Sequence, residues 1–334
     1  MKRCSFVCAV AVAVLTASFP ATAQQAGKVH RVALVVTTTP IAEMAGPDPV
    51  HLITRAFVHE LRALGYVEGR NVIVERRSAE GKPERYPDII AELVRLKTDV
   101  IAAGGSAVVV QQLKERASNI PIVMIGVNEP VKLGLVASLA RPGGNITGIT
   151  SASGPENEPK RLQLLKEVIP RLSRVGYLAT KQDWDLPSAQ AIRRAAPSLG
   201  MELLHAEHNS ADIDATLAAL ARQRPDALVA SLTGPTYAHR HQIVEFALKA
   251  RLPGIYPFPE MAETGGLMSY GVSGPDLARR TARYVDKILK GAKPGDLPIE
   301  QPTKYELVIN LKAAREIGIT IPESVLLRAD RVIE

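Results

Sequence analysis

The stretch KTDVIAAGGSAVVVQQLKERASNIPIVMI, residues 97–125, decides the fold class of this 334-residue chain. An apolar run at 99–103 leads through Gly104-Gly105-Ser106 into an amphipathic segment from about 106 to 117, and a second apolar run follows at 122–125. Short β-branched runs on either side of a helix of roughly ten to fifteen residues are typical of a parallel βαβ unit. We therefore expect a parallel sheet here, with the glycine loop at the carboxyl end of a strand.

The same alternation continues on both sides of this stretch. Further strands are predicted at 29–36, 71–75, 174–179, 201–206 and 226–231, and helices at 83–96, 157–169, 187–199, 211–222 and 236–250. The unit at 97–123 has a counterpart of similar length at 224–255, which indicates two halves of shared architecture. A chain of this length also exceeds the usual size of a single hydrophobic core. The sequence therefore predicts an α/β protein with two Rossmann-like lobes built on parallel sheets.

Composition indicates a folded globular protein. Hydrophobic residues make up 46% and charged residues 22%, a balance that argues against wholesale disorder and against a coiled coil. Lys plus Arg number 41 and Asp plus Glu 34, so the formal net charge is +7. Aromatic residues are only 4%, and we therefore expect a mostly aliphatic core.

The first 25 residues, MKRCSFVCAVAVAVLTASFPATAQQ, have the pattern of a secretory signal peptide. A cationic start precedes an apolar run, and Ala-Thr-Ala at 21–23 suits a signal peptidase. We expect cleavage of residues 1–23 and export to the periplasm, with an uncleaved anchor as the alternative. Cleavage removes both cysteines, Cys4 and Cys8, and lowers the formal charge to +5. The remaining chain has no thiol for a disulfide, a nucleophile or a metal, and export disfavours a nucleic-acid partner.

No catalytic or metal-binding signature is present in the sequence. It contains no G-x-x-x-x-G-K-[ST], no G-x-S-x-G and no H-E-x-x-H motif. His239 and His241 lie two apart on a predicted helix and point to different faces, which makes a poor metal pair. His205 and His208 are interpreted as ordinary surface residues. We expect neither an enzyme, a cofactor nor a metal site.

Loops at predicted strand ends are the best candidates for a binding site. Ligands of open α/β sheets bind beyond the carboxyl ends of the strands, where helix N-termini present backbone N–H groups. Four loops fit, at 37–40, 104–106, 126–130 and 231–234. Ser106 is a predicted N-cap that would favour an anion nearby, although a tight turn with a capping serine is the plainer interpretation. The candidates from these loops are Thr38, Gly105, Ser106, Asn128, Glu129 and Thr233.

Two aromatic clusters follow predicted strands in the second half. Trp184, the only tryptophan, is flanked by Asp183 and Asp185, so its indole could stack on a flat ligand while a carboxylate takes an ammonium group. The alternative is that Trp184 covers the edge of the core. The segment YPFPE brings Tyr256 and Glu260 to another strand end, with the same two interpretations.

Several longer stretches resemble the substrate-binding proteins of ABC transporters, which share the periplasmic-binding-protein type I fold. They are LRALGYVEGRN at 61–71, SLARPGGNITGIT at 138–150, RLQLLKEVIP at 161–170, GGLMSYG at 265–271, 284–290 and QPTKYELVINLK at 301–312. The resemblance implies two lobes joined by three crossovers near residues 148, 265 and 297. Lobe one would comprise 28–147 plus 266–297, and lobe two 148–265 plus 298–334.

Two loops depart from the family pattern at the expected pocket. Relatives commonly have Ser-Asp-Pro where this chain has Asn128-Glu129-Pro130, and Asp-Pro with an aromatic where it has LTGP at 232–235. No relative's ligand can therefore be transferred to this chain on the sequence alone.

The resemblance predicts a periplasmic receptor that captures a small polar or amino-acid-like ligand between its lobes and delivers it to an ABC importer. The expected partners are the ABC permease subunits of the inner membrane, and the expected state is a monomer. Ser151 and Ser153, just beyond the first crossover, would join the ligand-binding set. Two alternatives remain: a sensory receptor that passes its ligand-bound state to a membrane kinase, and an exported two-lobed enzyme.

Overall fold

The computed structural model describes residues 28–151, 157–208 and 212–334, and within them the strands form two separate sheets. The predicted signal peptide lies outside these residues. The strands are β1 His30–Val36, β2 Val72–Ser78, β3 Val100–Gly104, β4 Ile122–Ile125, β5 Ile146–Ile149, β6 Arg174–Ala179, β7 Glu202–Glu207, β8 Ala227–Ala230, β9 Gly254–Tyr256, β10 Met268–Gly271, β11 Glu306–Asn310 and β12 Arg331–Ile333.

Helices connect most of these strands. They are α1 Ile41–Met44, α2 Leu52–Ala63, α3 Tyr86–Arg95, α4 Ala107–Arg116, α5 Asn157–Val168, α6 Lys181–Trp184, α7 Pro187–Ser198, α8 Ile213–Arg222, α9 Gly234–Ala238, α10 Arg240–Lys249, α11 Pro259–Glu263, α12 Gly274–Leu289, α13 Leu311–Ile317 and α14 Glu323–Leu326. Short 3-10 turns form at Pro83–Arg85 and Pro294–Asp296. No helix in the described part of the chain has the length and apolar character needed to cross a membrane.

The first sheet has five parallel strands in the order β2-β1-β3-β4-β5. The inner strands β1, β3 and β4 are mostly continuous apolar runs because helices cover both faces of the sheet. Along β1, Val32 and Leu34 pack with α2 and α12, whereas Ala33 and Val35 pack with α3 and α4. All four side chains are fully buried, which explains why this strand lacks an alternating polar pattern.

The second sheet has the order β12-β11-β10-β9-β8-β6-β7 and is parallel except for the antiparallel pair β10–β11. One face packs against α5 and α7 through Leu162 and Ile192, and the other packs against α8 and α10 through Leu217 and Ile243. The prediction of an α/β protein with two parallel-dominated, Rossmann-like lobes is confirmed.

The chain passes between the sheets three times. Strand β5 belongs to the first sheet and β10 to the second, while α12 returns to pack against α2 beside the first sheet. The predicted lobe boundaries, 28–147 plus 266–297 and 148–265 plus 298–334, divide β5 between the two lobes and assign β10 to the first. We therefore propose crossings near Thr150, Val272 and Glu300. The first and third lie side by side, because Thr150 N donates to Glu300 O at 2.9 Å.

Candidate ligand-binding cleft

Loops at the carboxyl ends of strands from both sheets meet in one cleft. The loops after β1, β3 and β4 form one wall, and those after β6 and β8 form the other. Parallel strands bring their carboxyl ends to one edge of each sheet, which is where open α/β folds bind ligands. The cleft contains two adjoining cavities that differ in chemical character.

The first cavity, here called the apolar chamber, has a volume of about 90 Å³. It is lined by Ser151 and Val272, at two of the proposed crossings between the lobes, and these crossings are called the hinge. Its wall is mostly aliphatic and aromatic. The residues found only in this chamber are Val36, Thr39, His51, Ile53, Gly104, Ile125, Tyr237, Phe258, Val272, Gly274 and Leu277. Tyr237 and Phe258 meet edge to face with ring centroids 5.0 Å apart, and Tyr237 also lies 6.4 Å from the ring of His51 in the opposite lobe. The chamber is therefore closed by rings from both lobes.

The second cavity, the polar chamber, is larger, at about 380 Å³. It has carboxyl, ammonium and amide side chains, which the apolar chamber lacks. The residues found only in this chamber are Gly81, Pro83, Tyr86, Ser106, Ala107, Val108, Val127, Asn128, Leu133, Thr180, Lys181, Gln182, Asp183, Leu186, Glu207, His208 and Pro235. Eight residues line both chambers, namely Thr37, Thr38, Gly105, Gly126, Ser151, Leu232, Thr233 and Gly234.

The two lobes touch through backbone atoms where the chambers adjoin. A Cβ atom built on Gly234 of the second lobe would lie 1.6 Å from the carbonyl oxygen of Gly105 in the first lobe. Gly105 itself has φ +90°, and a side chain there would also meet Thr37 Oγ1 at 2.6 Å. Glycine at both positions therefore permits the lobes to approach this closely, and the structure is that of the closed form.

Two helices begin at the wall of the polar chamber, α4 at Ala107 and α6 at Lys181. Ser106 caps α4, because its Oγ accepts from Val108 N at 3.1 Å, and it lines the chamber as well. In the second lobe, Thr180 Oγ1 accepts from Asp183 N at 3.1 Å and donates to the carboxylate of the same residue. The capping and the ligand-contact interpretations of Ser106 are thus compatible. The α4 terminus favours an anion in the chamber.

Burial shifts the pKa of two groups in the cleft. Burial raises the pKa of Asp183, and the negative charge of Glu158 raises it further. Hydrogen bonds from Thr180 lower it, but the net shift is upward. Burial and the nearby Arg240 lower the pKa of His51 to about 4, so this imidazole is neutral near pH 7. His51 is held by Thr39 Oγ1 at 3.2 Å and Thr54 Oγ1 at 2.9 Å. The apolar chamber therefore carries a neutral histidine.

Seven of the predicted site residues line the two chambers. They are Thr38, Gly105, Ser106, Asn128, Ser151, Asp183 and Thr233. Ser153 lies outside the described residues. Glu129, Trp184, Tyr256 and Glu260 lie outside both chambers.

Glu129 and Trp184 contact protein groups outside both chambers. Glu129 Oε1 accepts from Ser188 N at 3.2 Å, a bond between the lobes. The indole of Trp184 stacks on His205 with ring centroids 3.8 Å apart, and the guanidinium carbon of Arg193 lies 4.6 Å from the indole centroid. The ring is partly buried against the second-lobe core, as the alternative interpretation of the sequence proposed.

Tyr256 and Glu260 are buried behind the cleft. Tyr256 has no exposed surface, and its hydroxyl has no hydrogen-bond partner among the described residues. Glu260 is 6% exposed and faces a separate cavity at the hinge together with Ser273 and Pro275. Burial raises the pKa of Glu260 to about 7.

Sequence reasoning missed several residues of the cleft. The interpretation of His208 as a surface residue was wrong, because it is 1% exposed and lines the polar chamber. His205 is only partly exposed, since the indole covers its ring. His51 and Tyr237 were not singled out, whereas Phe258 belongs to the YPFPE segment that the sequence indicated. Within the described residues, no cluster of three or more His, Cys, Asp or Glu is arranged to hold a metal.

Comparison with known proteins gives the same architecture. A conserved domain protein from Vibrio cholerae matches with a TM-score of 0.81 and 28% identity, covering 91% of this chain and 100% of that one. The ABC domain of a Streptococcus pneumoniae protein in complex with L-Trp matches with a TM-score of 0.78 and 24% identity, covering 91% and 99%. The "Tyrosine-binding protein" of Clostridioides difficile is 23% identical over 258 residues, which are 77% of this chain and 73% of that protein.

The family assignment rests on a match along most of the chain. The model of the ABC transporter substrate binding protein family matches residues 41–333, which include every strand of the two sheets except β1. Proteins of this kind bind small-molecule ligands, typically outside the cytoplasm, and deliver them to ABC permeases. The chain therefore belongs to the ABC transporter substrate binding protein family and is a solute-binding receptor of an ABC importer.

Proposed function

We propose that this receptor binds an α-amino acid with an apolar side chain in its closed cleft. The observation that carries the proposal is the adjoining pair of chambers, one polar with ionisable groups and one apolar with a neutral histidine. An amino acid of this kind has the same two-part character, because a zwitterionic end is joined to an apolar end. A purely charged or purely apolar solute would leave one chamber without a matching group.

The polar chamber offers a group for each charge of the zwitterion. The ligand carboxylate would lie at the start of α4, where Gly105 and Ser106 line the chamber and the helix dipole favours an anion. The ammonium group would face Asp183. An ammonium beside Asp183 would stabilise its ionised form and so oppose the effect of burial on its pKa. Hydroxyls of Thr38, Ser151 and Thr233, with the Asn128 amide, would complete the hydrogen bonds.

The apolar chamber would take the ligand side chain. At about 15 Å³ for each water-sized group, its volume holds about six such groups, which is the size of a phenyl ring or a branched aliphatic chain. Phe258 and Tyr237 would pack on it in place of Trp184 and Tyr256. The ligands in the names of two relatives, tyrosine and L-Trp, have side chains of this apolar, aromatic class.

We further propose that residues 1–23 export the chain to the periplasm and that it acts there as a monomer. One chain supplies both walls of the cleft, so a second copy is not needed to complete the site. The receptor would hold its solute by hydrogen bonds and apolar contact, make or break no bond, and present the closed form to the inner-membrane permease. Nucleic acid is not among its proposed partners.

A ligand screen tests the proposed function. Protein stripped of ligand by unfolding and refolding is screened by thermal shift with the common L-amino acids, and hits are measured by calorimetry. We expect binding by one or more amino acids with apolar or aromatic side chains. Analogues that lack either the ammonium or the carboxylate should bind at least about tenfold more weakly, because a charged hydrogen bond is lost. Strong binding of both analogues would contradict the proposed zwitterion site.

A further inference from the structure

We infer that Glu129 is a positioning residue that holds the receptor closed by capping helix α7 of the opposite lobe. Its carboxylate binds the helix from outside both ligand chambers, so it would set affinity without touching the solute. The inference rests on closure of the two lobes, which is part of the proposed function, and not on the identity of the solute. It replaces the sequence-based interpretation of Glu129 as a ligand-binding residue.

Helix α7 has no cap of its own. Leu186 occupies the N-cap position and makes no side-chain hydrogen bond, and the first turn has no acidic residue. Pro187 at the first helical position has no N–H, so Ser188 carries the first free N–H of the helix. Aliphatic residues are among the poorest N-caps, since they leave these donors to water. An acceptor from elsewhere in the molecule is therefore favourable at Ser188.

Glu129 supplies that acceptor from the first lobe. It lies between β4 and β5, and its Oε1 accepts from Ser188 N at 3.2 Å. Its backbone has φ +47°, a left-handed conformation that is strained for a residue with a side chain and is followed by Pro130. The strained turn and the bond between lobes place the carboxylate at the end of the α7 dipole, where a negative charge is stabilising. Opening the cleft would break this contact and return both groups to water.

The surroundings of Glu129 determine how closure depends on pH. Its other oxygen, Oε2, is buried and has no partner among the described residues. The charged groups that act on it are Lys132 in the same loop and Glu158 on α5, which is paired with Arg161 at 2.6 Å. Burial raises the pKa of Glu129, and the negative charge of Glu158 raises it further. Hydrogen bonds from Ser188 and the positive charge of Lys132 lower it, but the net shift is upward.

The sign of the pH effect follows from proton linkage. In the open form Glu129 is solvated and has its ordinary pKa, whereas in the closed form its pKa is raised. Closing therefore takes up protons at pH values between the two, and the closed fraction should increase as the pH falls through that window. A neutral acceptor at this position would keep the helix cap without the cost of burying a charge. Glu129→Gln and Glu129→Ala should consequently behave differently.

The experiment measures the closed population in ligand-free protein. A nitroxide on Lys181→Cys, at the second-lobe rim of the polar chamber, broadens methyl signals of Val108 and Leu133 on the first-lobe wall in proportion to that population. No cysteine follows residue 23, so the label site is unique in the mature chain. Paramagnetic broadening detects a minor closed form, and the measurement is made from about pH 5 to about pH 8, which spans the ordinary and raised range of a carboxyl.

We expect Glu129→Ala to lower the closed-to-open ratio about 3- to 10-fold, the effect of one lost hydrogen bond. Glu129→Gln should keep or increase that ratio and lose the pH dependence. The matched control is Glu115→Ala, which removes an exposed carboxylate on α4 of the same lobe. Unchanged broadening in Glu129→Ala, or the same pH dependence in Glu129→Gln as in wild type, would overturn the inference.

Calorimetry with L-tyrosine as the probe separates this inference from the proposed function. If L-tyrosine binds, Glu129→Ala should weaken it by the same factor as the closed-to-open ratio. If neither L-tyrosine nor any other amino acid binds wild-type protein, the proposed solute class is wrong, while the ligand-free broadening still decides the role of Glu129.

Discussion

The contact between Gly105 and Gly234 gives the sharpest prediction, because a single methyl group placed there should destabilise the closed form. In Gly234→Ala the new Cβ would lie 1.6 Å from Gly105 O, and its nearest neighbours are all backbone atoms of that glycine. A carbon atom rarely approaches an oxygen closer than about 3 Å, so the lobes must separate by about 1.5 Å. The bond from Ser188 N to Glu129 Oε1, now 3.2 Å long, would be lost with that movement.

The magnitude follows from the cost of the misfit. Overpacking a tight contact costs about 1 to 3 kcal/mol, and the broken bond between lobes adds about 1 kcal/mol. If the closed form is destabilised by about 2 to 3 kcal/mol relative to the open form, solute affinity decreases about 30- to 150-fold. The melting temperature of the ligand-free protein should stay within about 2 °C, because the open form has no contact at this position.

The assay is calorimetry with the amino acid that binds wild-type protein most tightly, beside circular dichroism melts. Gly144→Ala is the matched control, since Gly144 has an ordinary backbone conformation and open space around its Cβ position. It should bind as wild type does. Full affinity in Gly234→Ala would refute the reasoning, because the closed form would then tolerate an atom where the lobes touch.

Three further predictions concern buried groups around the cleft. Burial raises the pKa of Glu260 to about 7, so denaturation should show stability declining by about 3 kcal/mol as the pH rises from about 4.5 to about 7. Glu260→Gln should lose this pH dependence of stability. Parallel stability curves for wild type and variant would show that Glu260 is not its source. Burial lowers the pKa of His51 to about 4, so stability should decline by about 3 kcal/mol as the pH falls from about 6.5 to about 4. In His51→Gln that decline should be absent, and its persistence would assign the acid sensitivity to other groups. Trp184→Ala should destabilise the protein by about 2 to 4 kcal/mol while solute affinity stays within about twofold, because the indole packs on His205. An affinity loss above about tenfold would restore the ligand-stacking hypothesis.

Local sequence was sufficient where short-range chemistry decides the structure. The apolar runs at β1, β3 and β4 and the glycine loop at 104–106 predicted both the parallel sheet and one wall of the cleft. The N-cap at Ser106 followed from residue type alone and is present in the structure. These features depend on neighbours within one βαβ unit, so they can be read without knowing the rest of the fold.

Contacts between the lobes could not be read from local sequence. Whether Glu129 faces a solute or helix α7 depends on a residue 59 positions away in the other lobe. Trp184 occupies a strand-end loop, as expected, but its ring direction is set by packing on His205 and Arg193. The assignment of β10 to the second sheet likewise depends on pairing with β9 and β11, which apolar content alone does not specify.

The distance between the lobes tests the central claim most directly. Spin labels at Lys82→Cys and Lys181→Cys, exposed residues at opposite rims of the polar chamber, report that distance by pulsed electron paramagnetic resonance. The amino acid that binds most tightly, added at about ten times its wild-type Kd, should shift the distribution to one short distance in wild type and leave it mostly long in Gly234→Ala. An unchanged distance at saturation in wild type would contradict a receptor that closes its lobes on its solute.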